Sequence, residues 1–243
     1  MTRAVDGMVM VYVPAGEFLM GSDQGGSDAE KPQHKVYLDA FWIDRTEVTN
    51  AQYKKCAQAG QCKASSYAGD SKFNGDTQPV VGVDWNDAKT YCGWAGAALP
   101  TEAQWEKAAR GTDGRAYPWG NNPVTGKLLN FCDKNCEYDQ KDSAVDDGYA
   151  KTAPVGSYLA GTSPYGALDM AGNVWEWVED WYDGYPGTTY KSDYFGQKYR
   201  VLRGGSWLND ATYVRATDRG YVGLSDNRSA DIGFRCVGSG PGG

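Results

Sequence analysis

The sequence predicts an α+β domain of irregular build, low in regular secondary structure. Three observations carry this. Aromatic residues make up 13% of the chain and glycine occurs 32 times, a composition suited to many turns and much ring packing. The stretches that alternate like strands are short and separated by turn residues. Three helices carry start and stop signals, yet none is a long apolar stripe. At 243 residues the chain can bury one large core or two small ones. No internal repeat or boundary divides it, so residues 1–237 are expected to form one domain. The glycine-rich end GSGPGG (238–243) reads as a flexible tail.

In chain order, Met8 to Pro14, Gly16 to Met20 and His34 to Asp44 alternate as strands and are expected to form one antiparallel sheet. A helix opens at Thr49 or Asn50, runs through Tyr53, Cys56 and Ala57, and stops at Gly60. A second opens at Asp84 or Asn86, passes Tyr91 and Trp94, and stops at Gly96. The third has the clearest signals: Thr101 and Gln104 form a capping box before EAQWEKAAR, and Gly111 ends it. No long helix follows. Segments 121–149 and 182–199 are polar and rich in turn residues, and read as long loops that something must pin. Short strands are expected at Tyr199 to Arg203 and Gly233 to Val237.

A net charge of -7 and no run of Lys or Arg exclude a general nucleic-acid binder, because phosphate contacts require clustered cations. A neutral or basic partner fits better. No stretch of about 18 apolar residues marks a membrane insertion, and Met1 to Met10 does not read as a secretion signal. Six cysteines accompany a single histidine, His34. Three disulfides would imply an oxidising compartment, extracellular, cell-surface or periplasmic; six thiols would imply the cytosol.

Several segments in order resemble the formylglycine-generating-enzyme, or sulfatase-modifying-factor, family: VPAGEFLMGS (13–22), EKPQHKVYLDAFWIDRTEVTNAQY (30–53) and VVGVDWNDAKTYCGWAGAALPTEAQWEKAARG (80–111). YPWGN (117–121), YGALDMAGNVWEWVEDWY (165–182), and RVLRGGSW followed by IGFRCV (200–237) complete the set. The resemblance implies a C-type lectin fold. It also implies a disulfide between Cys92 and Cys236, which would contribute roughly 4 to 5 kcal/mol by loop closure. Cys56 and Cys62 flank the Gly60 turn, and Cys132 and Cys136 share a polar loop, so each pair is placed to close a local staple. Zinc is the alternative, but one His and no CxxC would require four thiolates from distant loops.

The resemblance further implies calcium, the hard-ion partner of side-chain and main-chain oxygens. One set would be Asn130, the carbonyl of Phe131, Asp147 and the carbonyl of Tyr149; the other Asp169, the carbonyls of Gly172 and Val174, and Glu176. The bland alternative is that these carboxylates are hydrogen-bonded turn residues. No copper, iron or zinc is expected. Oxidase members carry a copper-binding cysteine pair two and seven residues after the Trp of RGGSW, where this chain has Asn209 and Val214. Neither supplies the thiolate that copper(I) and a mixed disulfide need. Ser206 without a base, and His34 without partners for a three-histidine iron site, read as structural. No catalytic residue is therefore assigned.

The C-terminal segment is similar to the variable regions of proteins diversified by retroelements, which use this lectin fold. There, adenines of AAY codons are randomised to NNY codons, which cannot encode Lys, Glu, Gln, Met or Trp. Residues 208 to 231 contain none of the five. Framework positions Ala211, Arg215, Arg219, Arg228 and Ile232 alternate with candidate variable positions Leu208, Asn209, Asp210, Thr212, Tyr213, Asp218, Gly220, Tyr221, Val222, Ser229, Ala230 and Asp231. Tyr, Ser, Gly and Asn are residues that adaptable paratopes use. The first reading is thus a non-catalytic protein binding a protein or glycan ligand through about 203–236. A non-catalytic sensory or accessory module, and an enzyme with an unrecognised site, are the alternatives.

Overall fold

The computed structural model describes residues 1–223 and 226–238. Its strands are β1 (Met10–Val13), β2 (Gly16–Met20), β3 (His34–Leu38), β4 (Phe41–Asp44), β5 (Trp175–Trp181), β6 (Tyr199–Arg203), β7 (Gly220–Gly223), β8 (Ile232–Phe234) and β9 (Val237–Gly238). The helices are α1 (Asn50–Gln58), α2 (Trp85–Trp94) and α3 (Glu102–Arg110). Each helix starts at a reciprocal capping box, Thr49 with Gln52, Asp84 with Asp87 and Thr101 with Gln104, which satisfies backbone donors that would otherwise face no partner.

The expected N-terminal sheet is two sheets. β1 pairs with β4, and β4 with β9, while β2 pairs only with β3. The corner between β1 and β2 is held from α3, where Lys107, 1% exposed, donates through Nζ to the carbonyls of Pro14 and Gly16 at 2.8 Å each. Gly238, placed in the expected tail, pairs with Trp42 in β9; residues 239–243 of that tail lie outside the described residues.

The third sheet, in order β7-β6-β5-β8, organises the second half of the chain. β5 and β6 run antiparallel, and β5 and β8 parallel. Neighbouring residues enter different cores: Trp177 and Leu202 join Tyr53, Tyr91 and Phe234, whereas Val178 and Val201 join Trp105, Ala108 and Ile43. Successive strand side chains point to opposite faces, so this sheet lies between two apolar layers. β5 was not expected from the sequence, because a strand buried on both faces loses the alternation that reveals strands. β7 was not expected either.

At the centre lies an ion pair. Arg235 and Glu176 are both fully buried; the guanidinium meets the carboxylate at 2.6 and 2.7 Å and also donates to the carbonyls of Asp44 and Leu168. Trp105 Nε1 donates to the same carboxylate at 2.8 Å. Three disulfides join Cys56 to Cys62, Cys92 to Cys236 and Cys132 to Cys136. The second spans 144 residues and ties α2 to the segment between β8 and β9.

Candidate ligand-binding surface

The turn after β6 sets the shape of the candidate surface. A Cβ on Gly205 would stand 2.8 Å from the Tyr213 carbonyl oxygen and 2.9 Å from the Val214 side chain, and its φ is 75°. Only glycine lets the chain pass so close beneath residues 213–214. Trp207, 5% exposed, packs with Phe73, Val81 and Val174 and donates through Nε1 to the Ala230 carbonyl at 3.2 Å.

Three arginines hold the segment from below, each against a buried glutamate. Arg203 is fully buried; it meets Glu106 at 2.7 Å and donates to the carbonyls of Ala216, Thr217 and Asp218 at 2.6, 3.0 and 2.7 Å. Arg215 binds both oxygens of Glu30 at 2.8 Å. Arg219 binds both oxygens of Glu102, at 2.7 and 2.9 Å, and the carbonyls of Ala29 and Asp183. Planar guanidinium groups suit the bidentate geometry at Arg215 and Arg219; at Arg203 the two terminal nitrogens take the glutamate and the carbonyls, while Nε is buried without a hydrogen-bond partner.

Above this support the candidate variable positions divide. Thr212, Tyr213 and Tyr221 are exposed. The Tyr221 ring joins Tyr182, Tyr194 and Tyr199 at centroid distances of 4.4, 4.8 and 5.7 Å. Asp210 is half-buried, and its Oδ1 accepts from the Thr212 amide and hydroxyl. The others are tied inward. Leu208 and Ala230 pack beside Trp207. Asn209 Oδ1 accepts from the Ser206 hydroxyl at 2.7 Å, and its carbonyl accepts from the Cys132 amide. Gly220 lies where a Cβ would meet the Trp175 ring at 3.0 Å. Ser229 bonds Asp231, whose carbonyl accepts from the Trp175 amide. Asp218 is 9% exposed. The Val222 side chain lies outside the described residues, although its backbone pairs with Arg200.

Beside Thr212 and Tyr213 a cavity of about 620 Å³ opens, lined also by Ser27, Tyr117, Arg215 and Asp218. Burial pushes the Asp218 carboxyl up to about 7, and neighbouring Glu30 adds to the rise. Glu30, Ser27 and Tyr117 were not singled out in the sequence. Glu30 lies 185 residues from Arg215, and no local pattern announces such a pairing.

The two loops expected to bind calcium come together. A Cβ on Gly172 (φ 74°) would stand 2.1 Å from the Asn130 carbonyl oxygen, so glycine allows the loops to touch. Asn130 donates to the carbonyl of Lys151 and to Asn173 Oδ1, and Asn173 donates to Glu47. Asn130 Oδ1 and Glu47 Oε2 are buried without a hydrogen-bond partner. Asp147 accepts from the amides of Phe131 and Tyr149 at 2.9 Å each, and burial pushes its carboxyl up to about 7. Asp169 accepts from the Gly156 amide at 2.6 Å. Burial raises both Asp169 and Glu47, which face one another. Val174 is buried in the cluster around Trp207. Both oxygens of Glu176 are engaged, by Arg235 and by Trp105. Among the described residues, no three of His, Cys, Asp and Glu converge as a metal site.

Residues 1–239 match the sulfatase-modifying factor enzyme 1-like domain. The chain belongs to this family. It is 34% identical to the formylglycine-generating enzyme of Streptomyces coelicolor, over 93% of this chain and 88% of that protein. It is 32% identical to the inactive C-alpha-formylglycine-generating enzyme 2 of Mus musculus, over 95% and 85%. The family therefore holds active and inactive members. Among solved structures, PvdO from Pseudomonas aeruginosa aligns with a TM-score of 0.77 at 26% identity, covering 98% of this chain and 96% of that one. Treponema denticola variable protein 1 aligns at 0.72 and 22%, covering 98% of each, and shares the fold.

In this sulfatase-modifying-factor chain, the two positions read as replacing a cysteine pair are both structural. Asn209 holds the Ser206 turn, and Val214 is fully buried against Leu129, Phe131 and Ala171. The His34 Nδ1 lies 3.0 Å from the Pro32 carbonyl oxygen, and its ring rests on Tyr185.

The Asp218 carboxyl gives a pH signature. Its folded pKa of about 7 lies above the ordinary aspartate value, so between roughly pH 4 and 7 the folded chain keeps a proton that the unfolded chain loses. This contribution to stability is full below pH 4 and disappears as pH rises through 7. Urea midpoints across that range should fall more gently in Asp218→Asn than in the wild type, by up to ~1.4 kcal/mol per pH unit; parallel profiles would contradict the assignment.

Proposed function

We propose that this family member is a non-catalytic ligand-binding protein, with a surface in the segment 203–236 diversified by a retroelement. The observation that carries the non-catalytic reading is the state of the cysteines: all six are in disulfides, and Asn209 and Val214 serve the turn and the core. No thiolate remains to attack a substrate cysteine or bind copper(I). Support for a binding surface comes from the arginine pairs, which hold the backbone while Thr212, Tyr213 and Tyr221 face solvent. Three disulfides favour an extracellular, cell-surface or periplasmic setting. The ligand class on this reading is a protein or glycan. Residues 1–237 act as one domain.

Calcium belongs to the same reading, at one site more than the other. The first set fits: Asn130 Oδ1 is an orphaned buried acceptor, and among the described residues no cation pairs with the buried carboxyl of Asp147. Asn130, Asp147 and the carbonyls of Phe131 and Tyr149 would hold the ion, and its charge would organise the polar loop 121–149. The second set would be Asp169, the carbonyls of Gly172 and Val174, and Glu176, with the unpartnered Glu47 Oε2 as a further buried oxygen beside Asp169.

Two experiments test these statements. Incubated with copper, oxygen and a sulfatase-type cysteine peptide, the protein should leave the peptide mass unchanged; conversion with turnover would overturn the non-catalytic reading. Calcium at a hundredfold excess over its Kd should stabilise the fold by about 2.7 kcal/mol. Chelation should therefore lower the melting temperature, and Asp147→Asn should weaken the response. A melting curve indifferent to both would remove calcium from the account.

A further inference from the structure

The cavity beside Tyr213 has a chemistry of its own. Its floor is Asp218, 9% exposed, whose Oδ1 lies 3.3 Å from Arg215. That arginine already satisfies both oxygens of Glu30, a fully buried carboxylate that also accepts from the Ser27 amide. One guanidinium thus faces two carboxylates. Asp210 adds a third negative charge within range of Asp218. The other cation acting on Asp218 is Arg203, itself closed by Glu106 and lying 3.5 Å from Glu102. Among the described residues nothing donates a hydrogen bond to the second Asp218 oxygen. The walls are aromatic: Tyr117 is stacked on Trp119 at 4.9 Å with 2° between planes, and Tyr213 is 46% exposed.

A surplus of carboxylate at the base of an aromatic-walled recess favours a cation over an anion or a neutral group. The carboxylates supply charge-assisted hydrogen bonds, and the ring faces attract positive charge. The net charge of -7 draws a basic partner toward the chain. We propose that this cavity takes a lysine or arginine side chain presented by a partner polypeptide. The proposal rests on the ligand-binding reading above and names the chemistry of the ligand at one part of the surface. Thr212 and Tyr213 on the rim would then choose among basic partners, while Asp218, the candidate variable position tied inward beside Arg215, supplies the acidic anchor.

The test is an amide-resolved NMR titration of the whole protein with three blocked tripeptides, Gly-Arg-Gly, Gly-Lys-Gly and the neutral isostere Gly-citrulline-Gly. Shifts of the Ser27, Thr212, Tyr213 and Asp218 amides should saturate with the arginine and lysine peptides, and the citrulline peptide should bind at least about tenfold more weakly. Asp218→Asn should erase that difference, and Tyr213→Ala, a change at an exposed ring, should weaken all three peptides. Arginine affinity should rise between about pH 6 and pH 8 as Asp218 loses its proton to become the stronger acceptor. Equal binding of arginine and citrulline peptides by the wild type would overturn the cationic assignment while leaving the cavity a binding site. Absence of shifts at these amides with every peptide would overturn the cavity itself.

Discussion

The structure depends most on the buried pair Arg235–Glu176. A carboxylate and a guanidinium removed from water carry a large desolvation cost, which is offset only when the geometry is close and every remaining donor is satisfied. Here Arg235 reaches the Glu176 oxygens at 2.6 and 2.7 Å and gives its other protons to carbonyls before α1 and before β5. Trp105 brings α3 to the same carboxylate. The N-terminal strands, the third helix and the last sheet therefore meet at one charge pair. The cystine from Cys92 begins at the very next residue, Cys236, so covalent and ionic constraints act at the same point. Closing a loop of that length contributes about 5 kcal/mol in the chain-entropy account.

From this centre the surface segment takes its form. Arg203, Arg215 and Arg219 repeat the device of a guanidinium on a buried glutamate, and the glutamates come from α3 and from the loop before β3. The loop's path is set by backbone carbonyls and by arginines on its inner side, so the outward side chains contribute little to it. A scaffold of this kind separates folding from recognition.

Much of this was legible in the sequence, and the rest was hidden for physical reasons. The three helices stood out because caps and stops are local signals, and Thr101 with Gln104 behaves as read. The disulfides followed from the family resemblance and from short spacings. β5 was hidden because Trp175, Trp177 and Val178 are buried on both faces. The partner of Glu176 was equally hidden, because Arg235 lies 59 residues away and no local pattern announces the pair. Most of the expected variable positions are half-buried or buried and held by contacts, for a related reason. Asn209, Asp218 and Gly220 have the polar or small character of paratope residues, yet their environments come from Ser206, Glu30 and Trp175. Composition describes what a residue can do, and contacts decide which of those things it does.

The central claim is that the segment's fold is held from beneath and its outward side chains are free to vary. Urea unfolding of alanine variants along 203–221 tests it most directly. The account predicts that Thr212 and Tyr213 variants each stay within about 0.5 kcal/mol of the wild type. It predicts losses of roughly 3 to 5 kcal/mol for Arg203→Ala and Trp207→Ala, which strand a buried glutamate or empty an aromatic site. Losses at Thr212 and Tyr213 as large as those at Arg203 and Trp207 would contradict it.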